Sequence, residues 1–279
     1  MCYGTVERAA AAGVAPGVAT GAGWWPAGTV APRDEEGAVQ LGGSPKPNQA
    51  YYDEFSDWYE RERHRGYHAL LDRLEVELVA PHCPGRTLLD AGCGTGLILE
   101  KLRPLASCPV GVDLSAGMLR RARSRGLSVV QASLTSLPFA EATFDVVCSF
   151  KVLAHVEDID AALVELTRVC KPGGRLFLEF YNPWSLRYLG KLVVAGRISA
   201  RTSEREVFTR WDTVRRLRGY LPAGLQLRAL HGVRVLTPFA GLHRVPLLGR
   251  LLAAGEKLAV RSPLRYFGGF VVAECSKVA

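Results

Sequence analysis

Leu88-Leu89-Asp90-Ala91-Gly92-Cys93-Gly94-Thr95-Gly96 decides the fold: an apolar run ends on an acid and enters three alternating glycines. A buried strand followed by such a turn lets a ligand lie against bare peptide groups, because glycine has no Cβ and takes positive φ without steric cost. The spacing is G-x-G-x-G, and Leu97 stands where the dinucleotide fingerprint G-x-G-x-x-G has its third glycine. That departure weakens an NAD or FAD reading and leaves another adenosine-containing cofactor as the expectation.

The chain on either side extends the pattern. Pro109-Val110-Gly111-Val112-Asp113-Leu114-Ser115 reads as a second short strand ending in an acid, one helix beyond the glycines. Asp113 is then placed to accept both ribose hydroxyls, the competing reading being an N-cap for a helix from about Ala116, a role Ser115 can also fill. Val129 to Leu134, followed by Leu137-Pro138-Phe139, reads as a third strand, and Phe144 to Phe150 as a fourth. Lys171-Pro172-Gly173-Gly174 closes a helix and opens a fifth, Arg175 to Phe180.

From Tyr51 to Glu179 these residues resemble the class I S-adenosylmethionine-dependent methyltransferases, particularly the small-molecule branch that includes the quinone methyltransferases. The resemblance implies S-adenosylmethionine as cofactor. It implicates Asp90, Gly92, Gly94 and Gly96 beside the methionine portion and ribose, Asp113 at the ribose and Met118 against the adenine, with Leu114, Leu134 and Phe150 as further cofactor contacts. The family has an aspartate after strand three for the adenine amino group; Ser133 stands there in this chain and loses the charge assistance of a carboxylate. The resemblance also implies that the segment before the first strand closes over the cofactor, with Tyr52, Tyr59 and Arg65 as candidates for the methionine carboxylate. Tyr51 to Val79 itself reads as two amphipathic helices.

Leu225 to Val235 and Phe267 to Cys275 read as strands six and seven. The expected architecture is an α/β, Rossmann-like, mostly parallel sheet in the order 3-2-1-4-5-7-6, last strand antiparallel, helices on both faces. Residues 184–220 and 237–266 are the expected lid segments. In the second, Phe239, Leu242, Val245, Leu247, Leu248, Leu251, Leu252 and Leu258 crowd helical spacing, either as an amphipathic lid over a lipophilic acceptor or as plain core.

The 279 residues suffice for one large domain, expected over 49–279, with residues 1–48 a disordered leader rich in Ala, Gly and Pro, or an upstream start, with Trp24-Trp25 its one anchor. The net charge of +8 rests on 28 Arg and 7 Lys, and a basic sum alone does not choose among nucleic acid, membrane and acidic small molecules. Seven scattered cysteines with no C-x-x-C pair read as free thiols of a cytoplasmic protein, and no zinc spacing occurs. No run of 18 apolar residues occurs, so no transmembrane segment is expected, whereas peripheral membrane contact stays open.

Asn182-Pro183-Trp184 superficially matches the Asn-Pro-Pro-aromatic signature of amino-group methylation, but that signature follows strand four, where this chain has Ser149-Phe150-Lys151. No stable nucleic-acid partner is expected, since aromatic platforms interleaved with basic residues are missing. The expected acceptor is a small, partly apolar molecule of quinone, lipid or natural-product type, with oxygen favoured. The alternatives are a protein or RNA acceptor drawn by the basic stretch Arg197 to Arg218, or a degenerate methyltransferase fold used for binding. His155, just past strand four, is the candidate general base, against a plain helix-surface or core histidine. His231 and His243 are weaker candidates, and Lys151 is a candidate wall of the pocket.

Overall fold

A computed structural model describes residues 66–194 and 208–278. Seven strands form one sheet: β1 (Thr87–Ala91), β2 (Cys108–Asp113), β3 (Val129–Gln131), β4 (Phe144–Ser149), β5 (Cys170–Tyr181), β6 (Leu225–Val233) and β7 (Phe270–Lys277). Their order is β3-β2-β1-β4-β5-β7-β6. The first five run parallel, and β7 lies antiparallel to both β5 and β6. This is the architecture expected from the sequence.

Strand periodicity sorts the apolar residues onto two faces. Leu88, Val146 and Phe177 join the core covered by α1 (Tyr67–Val79), α2 (Leu97–Leu102) and α3 (Ala116–Ser124). Leu89, Val147, Leu176 and Leu178 point the other way, under α4 (Ile159–Val169) and α6 (Val214–Tyr220). Helix α5 (Leu186–Val194) follows β5. Between β6 and β7 the chain forms a 3-10 turn (Ala240–Arg244), α7 (Pro246–Ala259) and a second 3-10 turn (Pro263–Phe267).

Several boundaries differ from the sequence reading. Helix α4 stops at Val169, and Lys171-Pro172-Gly173-Gly174 lies inside β5, at a register shift against Phe144 and Val146. Gly173 has φ 75°, and a Cβ on Gly174 would stand 2.6 Å from Cys170 Sγ, so the glycines build a bulge in the ladder and not a helix cap. Strand β3 ends at Gln131, because Ser133 Oγ turns to accept the Thr135 N–H and pair with its hydroxyl. Strand β7 starts at Phe270, since Pro263 opens a 3-10 turn over the residues just before it. The leader, and the first of the two helices expected between Tyr51 and Val79, lie outside the described residues; α1 is the second.

Candidate active site

The glycine turn leaves β1 at the C-terminal edge of the sheet. Gly92 and Cys93 donate their N–H groups to the Val112 carbonyl at 2.7 and 2.9 Å, which fastens the turn to β2. Gly92, Gly94 and Gly96 all have positive φ, but for different reasons. A Cβ on Gly92 would fall 2.2 Å from Val152 Cγ2, and one on Gly96 2.3 Å from Leu127 Cδ1. Nothing lies within 4 Å of a Cβ on Gly94. Two glycines therefore serve packing, and Gly94 leaves open space where a ligand can approach the backbone.

Asp113 ends β2 and reaches back to this turn. Its Oδ2 accepts the Gly94 N–H at 2.8 Å and its Oδ1 the Ser115 N–H at 2.9 Å. The N-cap of α3 is Ser115, whose Oγ accepts the Met118 N–H, so the capping reading of Asp113 passes to its neighbour. The carboxylate lines the cleft beside the glycine turn.

Asp90, Gly92, Gly94, Asp113, Leu114, Met118, Ser133, Leu134, Phe150 and His155 line one cleft of about 320 Å³. Gly96 stands behind it as the left-handed N-cap of α2. Tyr52, Tyr59 and Arg65 lie outside the described residues. Asp90 is 2% exposed; its Oδ1 meets Cys148 Sγ at 3.7 Å and its Oδ2 has no hydrogen-bond partner among the described residues. Burial raises the Asp90 carboxyl to about 7, the neighbouring Asp113 and Glu75 push the same way, and the Cys148 bond and Lys151 oppose. Thr95 Oγ1, in the same cleft, is likewise buried without a partner. A cleft with an orphaned acid, an orphaned hydroxyl, an open glycine and a ribose-type acid suits a cationic amino-acid group joined to a nucleoside. The Cys93 thiol is held protonated by burial beside Asp113 and Asp90, which fits packing and not nucleophilic chemistry.

His155 ends a 3-10 turn (Leu153–His155) that follows β4. Its Nδ1 lies 2.9 Å from the Phe208 carbonyl and 3.3 Å from Thr209 Oγ1, and its Nε2 3.4 Å from the Tyr181 hydroxyl. A carbonyl can only accept, so Nδ1 carries the proton and Nε2 is left as the basic nitrogen.

Three features were missed in the sequence. Arg210 clamps the histidine turn by donating to the Leu153 and Val156 carbonyls at 2.9 Å each and to Asp212 at 2.8 Å. Tyr181 meets the His155 ring edge on, and the Arg187 guanidinium lies 4.4 Å over its ring. Lys151 has φ 62°, donates its N–H to Glu179, and places Nζ at 2.8 Å from Asp72 and 2.7 Å from Glu75. It does wall the cleft, as expected, and it also ties α1 to the sheet.

The remaining candidates lie elsewhere. His231 pairs with Glu274 at 3.0 Å between β6 and β7, and His243 bonds Thr237 and packs on Tyr67; neither lines the cleft. Asn182 is buried and donates to the Tyr266 and Gly268 carbonyls, a structural post for the turn before β7.

Residues 89–178 match the family model described as a methyltransferase domain. Residues 89–178 thus carry a methyltransferase domain. The demethylmenaquinone methyltransferase of Corynebacterium urealyticum is 41% identical over 101 residues, 36% of this chain and 44% of that protein. The malonyl-[acyl-carrier protein] O-methyltransferase of Serratia marcescens is 37% identical over 109 residues, 38% of this chain and 43% of that protein. The chain thus spans less than half the length of these curated relatives. Among solved structures, an S-adenosylmethionine-dependent methyltransferase of Thermotoga maritima superposes with a TM-score of 0.59 at 21% identity, over 82% of this chain and 99% of that one. A [4+2]-cyclase superposes equally well, TM-score 0.59 at 21% identity, over 85% of this chain and 98% of that one. These two likenesses concern the fold. The methyltransferase domain's matched residues run from β1 into β5 and include Asp90, the glycine turn, Asp113 and His155. No helix among the described residues is long and apolar enough to cross a membrane.

Proposed function

We propose that this chain transfers the methyl group of S-adenosylmethionine to a small, partly apolar acceptor, and that the atom methylated is oxygen. The observation that carries this reading is the continuity of one cleft from the glycine turn and Asp113 to His155. Bound S-adenosylmethionine supplies a methyl group on a sulfonium that is already an activated leaving group, so alignment can supply most of the rate. Asp113 would take the ribose hydroxyls while holding the glycine turn through Gly94, and Asp90 would face the ammonium. Met118, Leu134 and Phe150, all buried, give the cleft its apolar wall.

On the acceptor side, His155 is held by the Phe208 carbonyl at Nδ1, and its Nε2, 3.4 Å from the Tyr181 hydroxyl, would take a proton from a phenol or enol hydroxyl. Arg210 fixes the turn that carries it. Two relatives are named for methylating demethylmenaquinone and malonyl-[acyl-carrier protein], which supports an acceptor of this general kind. The fold by itself does not set the reaction, since it also serves a [4+2]-cyclase. A macromolecular acceptor loses part of its motive because Arg210, within the basic stretch, is spent on the protein's own carbonyls and Asp212.

Transfer of a tritiated methyl group from S-adenosylmethionine into fractionated cell extract tests the reading. Label is expected in the organic-soluble small-molecule fraction. Label confined to protein or nucleic acid, or none above a heat-killed control, overturns it.

A further inference from the structure

Helix α7 is built inside out. Toward the protein it turns small residues and one acid: Gly249, Glu256 and Ala259 are buried, with Ala253 packed beside them. A Cβ on Gly249 would stand 2.7 Å from the His243 carbonyl, so this side has no room for a larger residue. Toward water it turns leucines: Leu247, Leu251 and Leu258 are 71%, 63% and 79% exposed. Their i, i+4, i+11 spacing places them in one stripe on the face opposite the buried residues. A surface helix of an ordinary domain has the reverse arrangement.

Further exposed apolar residues lie beyond the helix. Phe267 and Leu264, in the turn before β7, are exposed, as is Trp184, whose N–H bonds the Asn182 side chain that holds this turn. The exposed charge along this segment has one sign. From residue 236 to 269 the only acid is Glu256, and it is buried with its carboxylate on the Val235 and Leu236 N–H groups. Arg244, Arg250, Lys257 and Arg261 are all exposed.

We propose that this face docks on an anionic lipid bilayer, with α7 lying in the interface plane, its leucines among the acyl chains and its basic residues at the headgroups. An apolar stripe flanked by cations is the composition such a surface selects. A two-fold pairing of two copies through the same stripe would set Arg250 and Lys257 against their own kind across an apolar seam, which disfavours a second copy as the occupant. The docking does not depend on which molecule is methylated.

Co-sedimentation of the full chain with vesicles tests it. Binding is expected to vesicles of phosphatidylcholine with phosphatidylglycerol, and much less to phosphatidylcholine alone. Because a net charge of +8 could by itself draw the chain to an anionic surface, the deciding variant leaves charge untouched. Leu247→Ser/Leu251→Ser/Leu258→Ser is expected to lower the partition constant by roughly tenfold or more. Arg250→Gln/Lys257→Gln, which removes no packed atom, is expected to lower it by roughly fivefold or more and to flatten its salt dependence. Unchanged affinity for S-adenosylhomocysteine shows that each variant is folded. No binding of the parent chain, equal binding by the leucine variant, or a dimer in light scattering that the leucine substitutions disperse would each overturn the proposal.

Discussion

Replacing Asp90 by Asn separates the acid's cost to the fold from its use in binding. The side chain is 2% exposed and one carboxylate oxygen has no partner among the described residues, and burial lifts it from an ordinary 3.8 to about 7. A group whose folded value lies above its unfolded one contributes stability that is complete below about pH 3.8 and lost as the pH rises through about 7. Between about pH 5 and pH 8 roughly two pH units of that loss accrue, about 3 kcal/mol at 1.36 kcal/mol per unit. The amide that replaces the acid cannot ionise, so its own unmet hydrogen bonds add a cost of about 1–3 kcal/mol that does not vary with pH. Urea unfolding of the ligand-free chain at the two pH values should therefore show the variant gaining about 3 kcal/mol on the parent from the lower to the higher.

Binding should run the opposite way. If the ionised carboxylate receives the cofactor's ammonium, the parent's affinity for S-adenosylhomocysteine, divided by the variant's, should rise about tenfold from pH 6 to pH 8. Taking the ratio cancels the ligand's own titration, and calorimetry at the two pH values supplies it. Parallel unfolding profiles for the two chains would refute the desolvation argument. A flat affinity ratio would remove Asp90 from the ammonium while leaving the stability argument standing.

Three further outcomes follow from the same geometry. Asp113→Ala should weaken S-adenosylhomocysteine binding by about 1–3 kcal/mol in calorimetry, because it removes the proposed ribose acceptor and frees the Gly94 N–H that Asp113 holds at 2.8 Å. Gly92→Ala should destabilise the chain by about 2–4 kcal/mol in urea unfolding, since φ is 82° and the new methyl meets Val152; Val152→Ala in the same chain should recover part of the loss, and no recovery would refute the clash. His155→Ala should keep cofactor affinity and lose on the order of 10²-fold in turnover where chemistry limits the rate, and unchanged turnover would leave alignment alone as the source of catalysis.

The cofactor half of the site was legible because its parts are local. Strand, acid and glycine turn are contiguous from Leu88 to Gly96, and Asp113 ends the next apolar run, so spacing alone places them side by side across one crossover. What escaped the sequence is what depends on distant partners. Arg210 sits in the basic stretch Arg197 to Arg218, which offered a motive for a macromolecular acceptor, and only the fold shows it clamped on the carbonyls of Leu153 and Val156. Helix α7 shows a different limit. Its apolar residues at helical spacing announce two faces, but which one turns inward is decided by size, Gly249 and Ala259 fitting where Leu247 and Leu258 do not. At Gly173 the Pro-Gly-Gly chemistry was recognised, whereas its use inside β5 depends on pairing with β4 and not on the local sequence.

Lys151 shows how the two halves of the site are joined. It stands in a left-handed conformation that costs a non-glycine residue of order 1 kcal/mol or more, so something must hold it. Glu179 on β5 takes its N–H at 3.0 Å, while Asp72 and Glu75 on α1 take its ammonium, and Lys101 comes within 3.7 Å of Asp72. Among these, Glu179 is pushed well above the usual carboxylate range by burial and by Glu75. Lys151 and Arg187 oppose that rise without overcoming it. Burial thus favours the neutral acid at Glu179, whose Oε1 accepts the Lys151 N–H. Through this arrangement α1, the end of β4 and β5 are fixed to one another directly beneath the cleft. The conformation of Lys151 at the cleft wall, and with it the approach to His155 four residues on, is set by acids nearly eighty residues upstream in the helix that precedes the glycine turn.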